Sequence, residues 1–376
     1  MAPGTDWEGN MHRWIARMAG LGGVCAVSFA LAPTASAATK TVYAGLPKGA
    51  AKKVLLTLPR AEGLAVKGAN PDANAFIIPK VTIHAGDSVQ WNGLAANFHT
   101  VDLPGASGQD LPLFVADPAH LIAGANDAAG NPFWFNGQPT LGFDPLLFSA
   151  TGGHVYDGSK RVDSGLPAGT SAKPFTVKFT KPGTYVYFCD VHANMKGIVV
   201  VRPRSATVPS AKQDAATLNA VLKADIRSAV KLTKVSIPAD TVQLGRADGK
   251  GVEFLKMFPA TLRVKAGTTV TFTMARGTRE VHTAAFGPPK LLTALSNSLG
   301  GPAPSQQALF PSDSPALGPI QLSPTAHGNG FVNTGALDAD STTPNQASSR
   351  IKFTAPGTYK FICLIHSFMH GTIVVK

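Results

Sequence analysis

The sequence predicts an all-β fold, two tandem Greek-key β-sandwich domains joined by a partly helical linker. Three observations point there. First, 38 Gly and 29 Pro punctuate 376 residues of which 44% are hydrophobic and only 15% charged, a composition of many short strands joined by turns. Second, the chain repeats itself, matching segment for segment in order. Third, within each repeat apolar and polar residues alternate with the period of two that a half-buried strand requires. A chain this long has room for two ordinary cores, and nothing in its composition directs it to a disordered or fibrous class.

Residues 1–37 stand apart from that fold. They carry a basic n-region with Arg13 and Arg17, an apolar run from about Met18 to Leu31, and an Ala35-Ser36-Ala37 cleavage pattern. This predicts a secretory signal peptide, a mature chain beginning near Ala38, and a secreted or periplasmic location. The apolar run is short of the roughly 20 residues a spanning helix needs, so no transmembrane segment is expected in the mature chain. Val24 before Cys25 tells against lipidation. Cleavage leaves Cys189 and Cys363, too few for a disulfide framework, and preserves the net charge of +12. Such a surface suits anionic partners, but the Lys and Arg are scattered without a basic stripe interleaved with aromatics, which excludes nucleic acid as the expected partner.

Residues 38–201 form the first predicted domain and 239–376 the second. "TVYAG" at 41–45 answers "TVQLG" at 241–245, and "IPKVTIHAGDSVQW" at 78–91 answers "PATLRVKAGTTVTF" at 259–272. "FHTV" at 98–101 answers "VHTA" at 281–284, and "FTVKFTKPGTYVYFCDVHANMKGIVVV" at 175–201 answers "SRIKFTAPGTYKFICLIHSFMHGTIVV" at 349–375. Val81 and Ile83, then Val89 and Trp91, fall on one face about an Ala-Gly turn; Phe175, Val177 and Phe179 alternate with Thr176, Lys178 and Thr180. Tyr185, Tyr187 and Cys189 share a face, and Ile198 to Val200 form the closing strand. Between the domains, residues 202–238 read as a linker. Its Leu218, Val221, Leu222, Ile226 and Val230 recur at helical spacing after Ser210, a candidate N-cap. Two long insertions, about 103–160 and 287–330, follow the "HT" motifs, and loops of that length usually have a role or are mobile.

The repeat carries chemistry as well as structure. "CDVHANMKG" at 189–197 and "CLIHSFMHG" at 363–371 each place Cys, His and Met three residues apart, with another His far upstream. A thiolate and two imidazoles in a plane, with a distant thioether, favour a type 1 copper site, because Cys and Met suit Cu(I) and His serves both oxidation states. The candidate ligands are His99, Cys189, His192 and Met195 in the first copy, and His282, Cys363, His366 and Met369 in the second. Each Cys ends a strand and each Met begins the next, so one turn gathers three ligands at one end of a sandwich while the upstream His arrives from a distant strand. Buried Cys and Met are common as core packing, but core packing does not explain four ligands recurring together. Zinc would prefer Cys or His at every corner.

From the "AGDSV" and "AGTTV" turns, through the "HT" ligand, to "PGTYVYFCDVHANMKG" and "PGTYKFICLIHSFMHG", each copy resembles a cupredoxin of the plastocyanin and amicyanin kind. The short Cys-x-x-His-x-x-Met loop is most similar to amicyanin. The resemblance covers about two thirds of the mature chain and leaves out the linker and both insertions. It implies two type 1 (blue) copper ions, one per domain, and single-electron transfer between redox protein partners. It also implies that His192 and His366 are the near-surface ligands, projecting toward a partner through an apolar patch, with His99 and His282 deeper. Thr100 and Thr283 stand where the family commonly has an Asn that ties the ligand loops together.

Two other readings compete. A two-domain copper nitrite reductase or multicopper oxidase would need further histidine-bound copper, and no His-Cys-His or His-x-His occurs in the sequence. The expectation is therefore no enzyme. A copper storage or delivery protein would favour exposed, exchangeable Met clusters, and there is no Met-rich run. His84, His120, His154 and His327 read as surface or hydrogen-bonded residues, His12 lies in the signal, and His370 is expected near the second site's rim.

Overall fold

The structure is a computed structural model and describes residues 37–45, 70–95, 98–167, 173–301, 303–341 and 343–376. The expected signal peptide and its cleavage site lie almost wholly outside the described residues. The fold is all-β as predicted, with four large sheets and few helices among the described residues. In the first half, one sheet runs Phe76–Ile77, Thr39–Ala44, Ser88–Asn92, Phe175–Phe179, Val155–Tyr156. The sheet packed on it runs Val162–Asp163, Asp102–Leu103, Gly183–Phe188, Lys196–Arg202, Lys80–His84. The second half repeats the order: Val252–Phe258, Thr241–Ala247, Thr269–Met274, Ser348–Phe353 and Ile320–Leu322 in one sheet. Facing it are Thr261–Val264, His370–Val375, Gly357–Ile362, Ala285–Phe286 and Val332–Asn333.

The alternation read from the sequence is the alternation of burial. Val81, Ile83, Val89, Trp91, Phe175, Val177, Phe179 and Tyr187 join one apolar core from both sheets, while Thr176 and Lys178 turn away from it. Trp91 meets Tyr187 edge-on with ring centroids 5.0 Å apart, and at the corresponding place Phe272 meets Phe361 edge-on at 5.4 Å. Gly197 and Gly371, each two residues after a candidate Met ligand, lie on those rings, and a Cβ at either would overlap Tyr187 or Phe361. The glycine lets the closing strand press the ligand loop down onto the core.

The linker helix forms at Ala211–Leu232 behind a Ser210 capping box, in which Gln213 Oε1 accepts from Ser210 N at 2.8 Å. Its C-terminal part docks through Ala229 and Leu232 against Val252, Phe254 and Phe258 of the second half, and Asp214 in its first turn pairs with Lys40 of the first half at 2.7 Å. Arg246 secures that end by donating to Leu232 O and Val235 O, both at 2.7 Å. No helix among the described residues is long and apolar enough to cross a membrane.

Two segments of the first half pack onto the second. Asn70–Ala73 pairs antiparallel with Val252–Phe258 and extends that sheet. The insertion after the first "HT" motif forms a hairpin, Phe114–Leu121 with Pro139–Phe143, and sends Ile122, Phe133 and Phe135 into a core with Ala285, Leu292, Leu295, Phe331 and Leu364. The second insertion supplies the short helices Pro289–Ser298 and Gln306–Leu309 to meet it. Gln306 grips the hairpin by accepting from Leu141 N and donating to Leu141 O, each at 2.9 Å, and Trp134 Nε1 donates to Pro311 O at 2.8 Å. The insertions thus clasp the halves together, and residues 37–376 form one compact unit.

Candidate metal centres

Each half gathers its predicted ligands at one end. Cys189 follows the strand Gly183–Phe188 and Met195 precedes Lys196–Arg202, so the pairing of those strands closes the loop between them with a Cys189 N to Met195 O bond of 2.9 Å. The second half closes its loop identically, Cys363 N to Met369 O at 2.9 Å. His99 arrives across the sandwich, and His282 sits on the short strand Val281–His282, paired with Leu337–Asp338. Met195 and Met369 are both buried.

Three donor atoms converge in each site. In the first, His99 Nδ1 and His192 Nδ1 are 3.1 Å apart and lie 3.8 and 3.3 Å from Cys189 Sγ. In the second, His282 Nδ1 and His366 Nδ1 are 3.1 Å apart and each is 3.8 Å from Cys363 Sγ. A first-row ion with bonds of about 2.0 Å to nitrogen and about 2.3 Å to sulfur, arranged trigonally, sets its nitrogen and sulfur donors about 3.7 Å apart. Both triangles already have nearly that size, so the residues present fit one ion per site.

Thr100 and Thr283 tie the ligand segments together. Thr100 Oγ1 accepts from Asp190 N and donates to Asp190 Oδ2, both at 2.8 Å, and Thr283 Oγ1 accepts from Leu364 N at 2.7 Å. Each hydroxyl thereby ties the upstream His segment to the residue after the Cys. The adjoining amides reach the sulfur, Thr100 N to Cys189 Sγ at 3.5 Å and Thr283 N to Cys363 Sγ at 3.4 Å.

The expectation that His192 and His366 project toward the surface is corrected. The two ligand ends face each other, and the His192 side chain is 2% exposed and that of His366 12%. Between them stands Glu280, whose Oε1 lies 3.2 Å from His192 Nε2 and whose Oε2 lies 3.4 Å from His366 Nε2. Asn74 Nδ2 donates to Glu280 Oε1 at 3.0 Å, and Ala193 N of the first ligand loop donates to Arg279 O at 3.2 Å. Sequence reasoning missed Glu280. The signal was its place two residues before His282, where residues of an extended chain share a face; in the aligned first copy Asn97 holds that position.

Charge follows this geometry. Burial works against ionisation of Glu280, yet the two imidazoles hold its pKa well below the usual carboxylate range. Burial likewise lowers His192 and His366, and the Glu280 carboxylate and the neighbouring sulfurs outweigh it, leaving His192 well above the ordinary imidazole value and His366 at about 10. His99 goes the other way, lowered by burial and by the charge on His192. Burial raises Cys363, and the hydrogen bonds of His282 and His366 overcome it to bring the thiol well below its ordinary value.

The remaining histidines are occupied elsewhere. His84 Nε2 bonds Ala206 O at 2.8 Å, His154 Nδ1 bonds Thr176 O at 2.8 Å, and His120 pairs with Asp117 at 2.6 Å. His327 lies between Asp127 and Asp313, at 3.4 and 3.2 Å, inside the clasp. His370 opens the strand after Met369 and is exposed, and His12 lies outside the described residues. A third cluster with metal-binding residue types, Asp102, Asp163 and Asp190, is buried beside the first site, and Arg161 pairs with Asp102.

No protein-family model matches the chain. Among solved structures, amicyanin from Paracoccus versutus (Thiobacillus versutus) is 17% identical over 39% of this chain and 88% of its own, with a TM-score of 0.21. Plastocyanin from Dryopteris crassirhizoma is 24% identical over 36% of this chain and 99% of its own, also at 0.21. At those scores the reading of the sites rests on their donor sets.

Proposed function

We propose that the chain is an exported two-centre copper protein that carries single electrons between redox protein partners and turns over no substrate. The observation that carries this reading is the doubled N,N,S triangle, with a buried methionine beside each. His99, Cys189, His192 and Met195 would hold one ion, and His282, Cys363, His366 and Met369 the other. Copper bound there supplies a one-electron exchange between Cu(I) and Cu(II), the pair of states this mixture of soft and borderline donors serves. The chain's own task is to keep the donors still. Thr100 and Thr283 pin the ligand segments to each other, Tyr187 and Phe361 support the loops from below, and every donor residue but the partly exposed His366 is buried. A pocket whose shape is fixed by strands changes little when an electron arrives. The N-terminal pattern supports export.

Copper loading tests the proposal. The loaded protein is expected to bind two ions per chain and to show an intense band near about 600 nm from thiolate-to-copper charge transfer. Cys189→Ala and Cys363→Ala should each remove one ion and about half of that band. A loaded protein without the band, or a full band surviving either substitution, overturns the reading.

A further inference from the structure

We infer that Glu280 joins the two centres into one electron-sharing unit, by accepting an Nε2–H from His192 with one carboxylate oxygen and from His366 with the other. This rests on the proposed copper reading of both sites. Four observations carry it beyond an ordinary ion pair between the halves.

The first is which atoms are used. In each half the Nδ1 atoms point at the sulfur, so the nitrogen left over on His192 and on His366 is Nε2, and both of these meet the same carboxylate at 3.2 and 3.4 Å. A carboxylate on the far nitrogen of a ligand histidine fixes the tautomer that leaves Nδ1 available and holds the ring in place. Here a single carboxylate does so for two candidate ions.

The second is continuity. From Cys189 Sγ the path runs through the His192 ring, across Glu280, and through the His366 ring to Cys363 Sγ, broken only by hydrogen-bond contacts. In a transfer one electron passes from the reduced half to the oxidised half along that path. No bond is formed or broken, and both Nε2 protons stay where they are.

The third is rigidity. Glu280 is buried, held by Asn74 Nδ2 at 3.0 Å, and the strand Asn70–Ala73 leading to Asn74 is itself stitched to the second half's sheet. Across the same junction, Ala193 N bonds Arg279 O and Asn194 Nδ2 bonds Asp340 Oδ2 at 3.4 Å. The fourth is asymmetry. The duplication supplies two of every ligand but one bridging acid, and Asn97 in the aligned first-copy position carries no charge.

The full chain with Glu280→Ala and Glu280→Gln decides the matter by two measurements. In copper-free protein, nitrogen-edited NMR should show two slowly exchanging Nε2–H protons, from His192 and His366. Both should be lost in Glu280→Ala, and one should be retained in Glu280→Gln, whose amide has a single acceptor oxygen. In copper-loaded protein, one-electron pulse reduction followed by the relaxation between centres should slow by about 10- to 100-fold in Glu280→Ala, the scale on which losing such an outer partner lowers metal affinity or activity. Glu280→Gln should fall between, with both halves of the band near 600 nm retained. Should Glu280→Ala fail to fold, Glu280→Gln alone carries both readouts. Unchanged exchange protection or an unchanged intersite rate overturns the bridge. A band missing from the wild-type protein would instead overturn the copper reading, and the NMR result would still stand on the bridge.

Discussion

The two candidate centres have almost the same donor triangle in different surroundings. After Cys189 comes Asp190, buried with Asp102 and Asp163 and held by Thr100 and Leu111 N; after Cys363 comes Leu364, buried in the apolar core where the clasp meets the second half. Sulfur environments differ too. Among the described residues, Cys363 Sγ accepts from two backbone amides, Thr283 N at 3.4 Å and His366 N at 3.3 Å, where Cys189 Sγ accepts from Thr100 N alone. Both halves carry the same candidate ligands, because their spacing is a local property of one strand and one loop. What packs behind them differs, Asp102 and Asp163 at the two ends of the first insertion against Leu292 and Leu295 within the second.

The largest expected effect exchanges those surroundings. Leu364→Asp would set a charge among Leu292, Leu295 and Phe331 without a counterpart of the Leu111 amide that holds Asp190. It should cost about 3–5 kcal/mol, the scale of an uncompensated buried charge, as read by the denaturant midpoint. Tolerance of the acid at 364 as at 190 would break the comparison.

A smaller effect separates the halves by pH. Burial, then the charge of the neighbouring carboxylates, raises Asp102 to about 8 and Asp163 to about 7. Folded-state values above the unfolded ones mean that the folded chain keeps protons the unfolded chain releases. The stability tied to these groups is therefore present below about pH 4 and is lost as pH rises through about 8. Asp163→Asn should flatten that decline and gain about 1–2 kcal/mol over wild type at pH 8, with little change at pH 4, measured as unfolding free energy at the two pH values. An unaltered slope would remove the acid cluster from the account.

The smallest effect sharpens the redox contrast. An additional amide donating to the sulfur, with an apolar residue beside it, favours the less positive Cu(I) state, so the second half should hold the electron more tightly. One net hydrogen bond of about 1 kcal/mol corresponds to roughly 40 mV for one electron. Spectroelectrochemical titration should resolve two steps, and Cys363→Ala should remove the one at higher potential. Loss of the lower step instead would reverse the ordering.

Much of this was legible in the sequence. The apolar alternation of Val81, Ile83, Val89 and Trp91 is enforced by the strand's own period, and Ser210 with Gln213 reports a helix start through atoms three residues apart. Six of the eight candidate ligands are legible for the same reason, since each Cys-x-x-His-x-x-Met loop is short enough for its chemistry to appear as spacing, and His99 and His282 are legible from the matching "HT" of the two copies. What only the tertiary structure decided is how the two ends meet. Asn74 and Glu280, 206 residues apart, touch because a strand of the first half extends a sheet of the second and two insertions clasp across the junction. Periodicity tells which face of a strand is buried, but it holds no information about which sandwich end that face will meet. That choice turned His192 from an expected surface ligand into an interior one facing His366 across a single carboxylate.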